Sequence, residues 1–185
     1  MRSSQERRVN PLDRSHFEFL GLPARFAIDE QALHDTFKRV QAAIHPDRFA
    51  SAAGTEHRIA MQLATRANEA YGTLRDPGRR AAYLCELNGC PVRAETNTAM
   101  SADFLMQQMA WREALQEARE TGDRVALCGL ERTLCDHRNL LLEELSSCLD
   151  ERHDYPRACD AVRRWMFIDK FGREVASARE SLPAA

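Results

Sequence analysis

Apolar residues recur at spacings of three and four along most of this chain, and the strict alternation that is typical of strands does not occur. Such spacing places apolar side chains on one face of an α-helix. The pattern therefore predicts an all-α protein built from amphipathic helices.

The first half of the chain is predicted to form four helices. Gly21-Leu22-Pro23 stops the first helix, Asp29 caps the second, and Asp76-Pro77 starts the fourth. The predicted helices cover residues 16–20, 30–44, 55–74 and 78–87.

Two apolar faces are expected to hold the second and third of these helices together. On the second helix, one stripe that should be buried comprises Leu33, Phe37, Val40 and Ile44. The inner face of the third helix is expected to comprise Ile59, Leu63, Ala67, Ala70 and Leu74. The alanines of this face would allow close helix approach.

The second half of the chain is predicted to form an antiparallel three-helix bundle. Ser101 begins it, and Thr121-Gly122-Asp123 combines a helix stop, a left-handed position and a new N-cap. Paired apolar residues then recur every seven positions to about Leu149. A last helix is expected from Tyr155 to Leu182, and short connections favour antiparallel neighbours.

The chain of 185 residues is long enough for two small domains. Residues 91–98 are polar and irregular, so we expect the boundary there. The predicted organisation is a flexible tail at 1–14, a helical domain at 15–90, a linker at 91–100 and a helical bundle at 101–185.

The first helix of the bundle is apolar on more than one side. Phe104, together with Trp111 and Leu115, can face the core. Met106 points some 200° away from Phe104, because successive helical residues are about 100° apart. Residues off the core face are Leu105, Met106 and Met109. They either pack against the first domain or form an exposed docking patch, where methionine gives adaptable contacts.

The last helix repeats this pattern. Its core stripe is expected to comprise Val162, Trp165 and Ile168. Phe167 lies about 200° from Trp165, and Phe171 is one turn further on, so at least one of these phenylalanines should face outward. Because the first and third helices of a bundle can be neighbours, Phe167 could join the residues off the core face in one patch.

His45-Pro46-Asp47, followed by Arg48, lies between the second and third helices. Proline cannot donate a backbone hydrogen bond and disfavours helix at the preceding residue, so the polar side chains should sit at a tight bend. An aspartate there could accept a bidentate hydrogen bond from a partner's arginine. Lys38, Arg39 and Arg48 add a modest positive surface for an acidic partner. No nucleophile or oxyanion-type glycine turn accompanies His45 and Asp47, so a catalytic pair is not supported.

Composition excludes several function classes. The net charge is −2, divided into +2 over residues 1–90 and −4 over the rest, without the basic excess of a nucleic-acid-binding protein. No apolar run approaches the ~20 residues needed to cross a bilayer, so no membrane association is expected. The N-terminus lacks the apolar core of a secretory signal. Its arginines and serines are compatible with a short transit peptide, against which Glu6 and Asp13 argue.

The six cysteines suggest metal or disulfide chemistry, but their spacing does not support it. No Cys-x-x-Cys pair occurs, and the six histidines complete no zinc spacing. We expect no metal and no cofactor. The simplest interpretation is that the cysteines are small buried apolar residues in a reducing compartment.

Several motifs together carry a family resemblance. Residues 16–87 resemble a J-domain through His45-Pro46-Asp47 and Asn68-Glu69-Ala70-Tyr71. Residues 16–182 as a whole resemble the HscB family of iron–sulfur-assembly J-proteins. The motifs specific to that family are Gly21-Leu22-Pro23-Ala24-Arg25, Arg48-Phe49-Ala50, Arg80-Ala81-x-Tyr83-Leu84, Phe104-Leu105-Met106-x-Gln108 and Phe167-Ile168-Asp169-Lys170.

The resemblance implies a two-ended co-chaperone with no active site of its own. In that family the J-domain stimulates ATP hydrolysis by a DnaK-type chaperone, HscA. The position of Asp47 engages the chaperone, and His45 and Pro46 hold the loop. The C-terminal bundle binds the scaffold IscU, and the contact positions correspond to Leu105, Met106, Met109 and Phe167.

The chain departs from the family pattern at a few positions. Asp35 lies on the helix before the bend, whose basic residues are fewer than is typical. Met109 stands where leucine is usual, a volume-conserving change. Because no eukaryotic-type zinc module precedes the J-domain, we expect a bacterial cytoplasmic protein. The alternatives are a J-protein with a different client and a cysteine-based metal- or cluster-binding protein.

Overall fold

The computed structural model describes residues 11–44, 54–93 and 100–182. Within these ranges the chain forms seven α-helices and no strand, which confirms the predicted all-α fold class. The helices are α1 (His16–Leu20), α2 (Glu30–Ile44), α3 (Gly54–Arg75), α4 (Pro77–Leu87), α5 (Ala102–Thr121), α6 (Arg124–Ser146) and α7 (Tyr155–Ser181). A 3-10 turn (Pro11–Asp13) precedes α1, and a π-helical segment (Ser147–Arg152) follows α6.

The chain divides into two compact units, Met1–Arg80 and Ala81–Ala185. This division falls inside α4, whereas the domain boundaries predicted from composition lie at residues 90 and 100. Part of the predicted linker lies outside the described residues, so those boundaries stay predictions. Within the segment predicted as a tail, the 3-10 turn is ordered by contact with α3, and Arg66 Nη2 donates to the Arg14 carbonyl at 2.8 Å.

Local capping explains where the first helices begin. The Ser15 hydroxyl accepts from the Glu18 amide at 3.2 Å, and the Glu18 carboxylate accepts from the Ser15 amide at 2.9 Å. The Asp29 carboxylate accepts from the amide of Gln31, and that of Asp76 accepts from the amide of Arg79, both at 2.8 Å. Each carboxylate or hydroxyl satisfies an amide that has no partner within its helix.

In the N-terminal unit, α2 and α3 form an antiparallel pair. The Phe37 and Tyr71 rings stack with centroids 4.1 Å apart, and His34 Nδ1 lies 3.2 Å from the Tyr71 hydroxyl. One helical turn further along α2, Gln41 Nε2 donates to Asn68 Oδ1 at 3.4 Å. Because residues later in α2 contact residues earlier in α3, the two helices run antiparallel. Asn68 and Tyr71 both belong to the J-domain-like motif.

The buried residues of α2 and α3 differ in part from those predicted. Of the α2 stripe only Leu33 is buried, while Phe37, Val40 and Ile44 are half-buried. On α3 the predicted Ile59 is 46% exposed, and Ala60 is buried in its place. Ala60, Ala67 and Leu74 lie seven residues apart, close to two full helical turns, so they share one line down the helix. Ile59 falls about 80° to one side of Ala67.

The C-terminal unit is the predicted antiparallel bundle. Gly122 (φ +68°) ends α5, and the Asp123 carboxylate accepts from the amides of Val125 and Ala126 to begin α6. Ion pairs join α6 to α7 in antiparallel order, among them Glu131–Arg179 at 2.9 Å, Arg138–Asp169 at 2.6 Å and Glu144–Arg164 at 2.8 Å.

The helix predicted to run to about Leu149 ends earlier, at Ser146. The next six residues are π-helical, and His153 (φ +53°) closes the segment in a left-handed conformation. Cys148 and Leu149 are both buried there. This π-helical segment replaces the last turn of the predicted regular helix.

Candidate docking surfaces

The bend is the first predicted site. His45, Pro46, Asp47 and Arg48 lie outside the described residues. Lys38 and Arg39, predicted to supply positive charge beside the bend, lie on α2, where both side chains are exposed. The α2 surface that leads to the bend is therefore open to solvent and carries two cations.

The second predicted site is an apolar surface on α5. Leu105 is 46% exposed, Met106 69% and Met109 63%. Within the C-terminal unit these side chains are therefore at the surface, as the docking-patch alternative requires. Together with Phe167 of α7, we call these residues the apolar patch.

Phe167 lies beside α5, as the predicted adjacency of the first and third bundle helices requires. Its ring meets Phe104 edge-on with centroids 5.8 Å apart and stacks on Trp111 at 6.3 Å. The Arg112 guanidinium lies over the Phe167 ring, 5.7 Å from its centroid. Phe167 is half-buried, so part of its ring remains accessible.

Helical geometry shows which side of α5 Phe167 occupies. Trp111 faces the core, and Arg112 is turned about 100° from it. By the same arithmetic Leu105 lies about 20° from the direction of Arg112, and Met109 about 60°. Phe167 therefore flanks the side of α5 that exposes Leu105 and Met109, while Met106 extends the apolar surface further round the helix.

An aromatic cluster supports the apolar patch from beneath. The buried Trp111 ring contacts the His137 ring of α6 edge-on at 4.9 Å. Phe171 stacks on both Trp111 and Phe167, with centroids 6.4 Å and 5.7 Å apart. Rings from all three bundle helices thus fix the position of Phe167. Phe171, one of the two phenylalanines considered as outward-facing, is buried and belongs to this support.

Two neighbours of the apolar patch were missed by sequence reasoning. Phe104 was assigned to the core but is half-buried, and it forms the edge against which Phe167 rests. Arg112 was not considered. A signal for Arg112 exists, because it lies seven residues after Leu105, close to two full turns along the same face.

The cysteines are distributed differently from the prediction that all are buried. Cys85, Cys148 and Cys159 are buried, Cys90 and Cys128 are half-buried, and Cys135 is exposed. Cys135 faces outward because Leu134 occupies the core position of that turn. Within residues 11–44, 54–93 and 100–182, no group of three or more His, Cys, Asp or Glu side chains is arranged to hold a metal ion. No helix in those ranges is both long enough and apolar enough to cross a membrane.

The chain is similar in sequence to known proteins over most of its length. Residues 100–176 match the family model described as the HSCB C-terminal oligomerisation domain. A co-chaperone protein HscB homolog from Bordetella petrii is 52% identical over 164 residues, which cover 89% of this chain and 95% of that protein. A homolog of the same name from Burkholderia vietnamiensis is 49% identical over 168 residues, covering 91% of this chain and 95% of that protein.

Solved structures agree with the fold. The chaperone HscB from Vibrio cholerae is 33% identical, with a TM-score of 0.80 over 92% of this chain and 100% of that one. The human co-chaperone protein HscB is 24% identical, with a TM-score of 0.84 over 89% of this chain and 82% of that one, and supports the fold alone.

A J-domain followed by a helical C-terminal domain defines a class of co-chaperones, and the chain has this architecture. Within that class, identity of about half the residues over most of the chain to proteins named HscB homolog indicates one particular family. The chain belongs to the HscB family of co-chaperones for iron–sulfur cluster assembly.

Proposed function

We propose that this protein couples an ATPase chaperone to an iron–sulfur scaffold. The J-domain would stimulate ATP hydrolysis by a DnaK-type chaperone of the HscA kind through His45-Pro46-Asp47. The C-terminal unit would bind a scaffold protein of the IscU kind and deliver it. The observation that carries this proposal is the exposed apolar patch, in a chain that belongs to a co-chaperone family.

The scaffold-binding role is supported by the chemistry of the apolar patch. Leucine and two methionines present apolar, deformable side chains to solvent, and burying such side chains in an interface is favourable. Phe167 differs from them because its neighbours hold the ring in place. A fixed aromatic beside flexible methionines suits an interface with one anchoring residue and an adaptable surround.

The chaperone-binding role is supported by the surface of α2. Lys38 and Arg39 are exposed cations on the helix that precedes the bend. Such charges raise the rate of encounter with an acidic partner surface. Asp47 would then accept a charge-assisted hydrogen bond from an arginine of the chaperone, the strongest kind of single polar contact available to it.

In this proposal the protein carries no active site, metal or cofactor and does no chemistry of its own. The relatives that are about half identical to it come from bacteria, and we place its action in the bacterial cytoplasm. It needs no membrane and no nucleic acid for this role.

The test is the Asp47→Ala variant in a steady-state ATPase assay with the cognate chaperone. The variant should lose stimulation, because alanine cannot accept the hydrogen bond, and should bind the scaffold with unchanged affinity in titration calorimetry. Normal stimulation by the variant would show that the bend does not engage the chaperone.

A further inference from the structure

Three thiols converge in the C-terminal unit. Cys90 Sγ and Cys159 Sγ lie 3.2 Å apart, and the Cys85 side chain adjoins Cys159. Cys90 follows the end of α4, and Cys159 lies in the second turn of α7. None of the three belongs to the apolar patch or to the bend.

Hydrogen bonds hold this arrangement in place. The Cys159 thiol donates to the Cys90 carbonyl at 3.0 Å. Val92, two residues after Cys90, is held as well: its carbonyl accepts from Arg163 Nη1 at 3.2 Å, and both residues are buried. The segment after α4 is thus fastened to α7 at two points, and one of them, the Arg163–Val92 hydrogen bond, involves neither thiol.

The two sulfurs are close enough to bond after a small movement. A disulfide has an S–S length of about 2.05 Å, so the sulfurs must approach by roughly 1 Å. Cys90 is not part of a helix, which leaves its backbone more freedom than that of Cys159. Its side chain is half-buried, whereas Cys85 and Cys159 are buried, so a solvent oxidant reaches Cys90 first.

We propose that Cys90 and Cys159 are a peroxide-oxidisable pair that closes an intrachain disulfide. The Cys90 thiolate attacks one oxygen of the peroxide, the O–O bond breaks, and Cys90 becomes a sulfenic acid. The Cys159 sulfur then displaces hydroxide from the Cys90 sulfur, and the Cys159 proton leaves with it as water. Two thiols are oxidised by two electrons and hydrogen peroxide is reduced to two waters.

Burial assigns the order of the two steps. It raises the pKa of the Cys85 thiol to about 11 and raises that of Cys159 as well, further assisted by the neighbouring Cys90 thiol. Because the thiolate is the nucleophile, Cys159 serves poorly as the first attacking group and acts as the resolving thiol. Because only thiolates attack, the disulfide should form faster at higher pH.

The test uses the full chain with Cys128→Ser and Cys135→Ser, which removes the two thiols of α6 outside this cluster. After treatment with hydrogen peroxide, the protein should be lighter by two hydrogens and have two fewer alkylatable thiols. Non-reducing tryptic digestion should yield residues 81–93 joined to residues 158–163. Fragmentation of that product should place the bond on Cys90, and dithiothreitol should reverse it.

Three variants decide between this pair and its neighbours. Cys90→Ser should abolish the joined product, as should Cys159→Ala, while Cys85→Ala should retain it. Far-ultraviolet circular dichroism checks that each variant is folded. A bond on Cys85, irreversible oxidation of Cys90 with Cys159 still alkylatable, or no loss of thiols in the folded parent protein would each overturn the proposal.

Discussion

Exposed apolar side chains are concentrated on α5 in a way that chance exposure does not explain. Isolated exposed hydrophobic residues are common on soluble proteins, and Val125 is such a case here. On α5, by contrast, three of them fall within five successive positions, and Phe167 flanks the same helix through its contacts with Phe104 and Arg112. Such a concentration of exposed apolar side chains is typical of interaction sites.

The apolar patch should contribute binding energy residue by residue. Replacing Leu105, Met106 or Phe167 by alanine should weaken scaffold binding by more than about 1 kcal/mol each, roughly fivefold or more in Kd, because each removes apolar surface from the interface. Phe167→Ala should have the largest effect, since its ring is already held in position. Titration calorimetry with the scaffold measures this.

Two exposed residues outside the apolar patch provide matched controls. Leu87 of α4 is 45% exposed, nearly the same as Leu105, and Met61 of α3 is 53% exposed. Leu87→Ala and Met61→Ala should leave scaffold affinity unchanged. Equal losses in the controls and in the variants of the apolar patch would indicate a general effect on the fold rather than a docking surface.

The exposed cations of α2 should act through charge. The double variant Lys38→Glu and Arg39→Glu should require several-fold more protein for half-maximal ATPase stimulation, because it reverses the charge presented to an acidic partner. Raising the ionic strength should shrink the difference from the wild type. Arg58→Glu, on the exposed surface of α3, is the control. A deficit that does not change with salt would argue against an electrostatic role for α2.

Exposure of single residues was predictable where one helix decides it. Angles along α5 separate Leu105, Met106 and Met109 from the core face but leave open whether another part of the chain covers them. The structure shows them exposed. The same arithmetic did not distinguish Phe167 from Phe171. An angle tells on which side of its own helix a residue lies, but not whether a neighbouring helix covers that side. Phe171 is buried because Trp111 of α5 covers it.

At the scale of elements, the helix boundaries were largely predictable because capping is local. Asp29, Ser101 and Asp123 each accept backbone amides one turn into the helix that follows. The π-helical segment after α6 was not predictable, because the seven-residue apolar recurrence continues through Cys148 and Leu149 and predicts a regular helix there. On α3, the burial of Ala60 instead of the predicted Ile59 also depends on packing against other helices, which the sequence of α3 alone does not show.

The stability that Glu144 contributes by joining α6 to α7 should depend on pH. Burial alone would raise the pKa of this carboxyl, but hydrogen bonds from Arg164 and Arg157 outweigh burial and leave the pKa below its ordinary value. The folded state therefore favours the ionised form. Its stabilising contribution is fully present above the unfolded pKa of 4.5 and is lost as the pH falls through the lower folded pKa.

Glu144→Gln should consequently lower the melting temperature at pH 7, and the difference from the wild type should shrink as the pH falls below 4.5. Thermal unfolding followed by circular dichroism at a series of pH values measures this. Glu143→Gln changes an exposed carboxylate on the same helix and is the control. A difference that stays constant down to acid pH would mean that the ionised form of Glu144 is not what joins the helices.

For the whole molecule, motifs spread over most of the chain predicted the family, and the comparisons confirm it. Period and capping predicted the all-α fold and two helical units. The chaperone-binding side remains a prediction at His45, Pro46 and Asp47, which lie outside the described residues. For the proposed scaffold-binding side, the structure shows exposed apolar side chains at Leu105, Met106 and Met109.

The central claim is that one chain connects an ATPase to its cargo. Steady-state ATPase activity of the cognate chaperone, measured with this protein, with the scaffold and with both, tests it most directly. Both together should stimulate hydrolysis more than the sum of the two separately, and Leu105, Met106 and Phe167 changed together to alanine should remove that excess while this protein's own stimulation remains. Purely additive rates, or an excess that survives the triple variant, would contradict the claim.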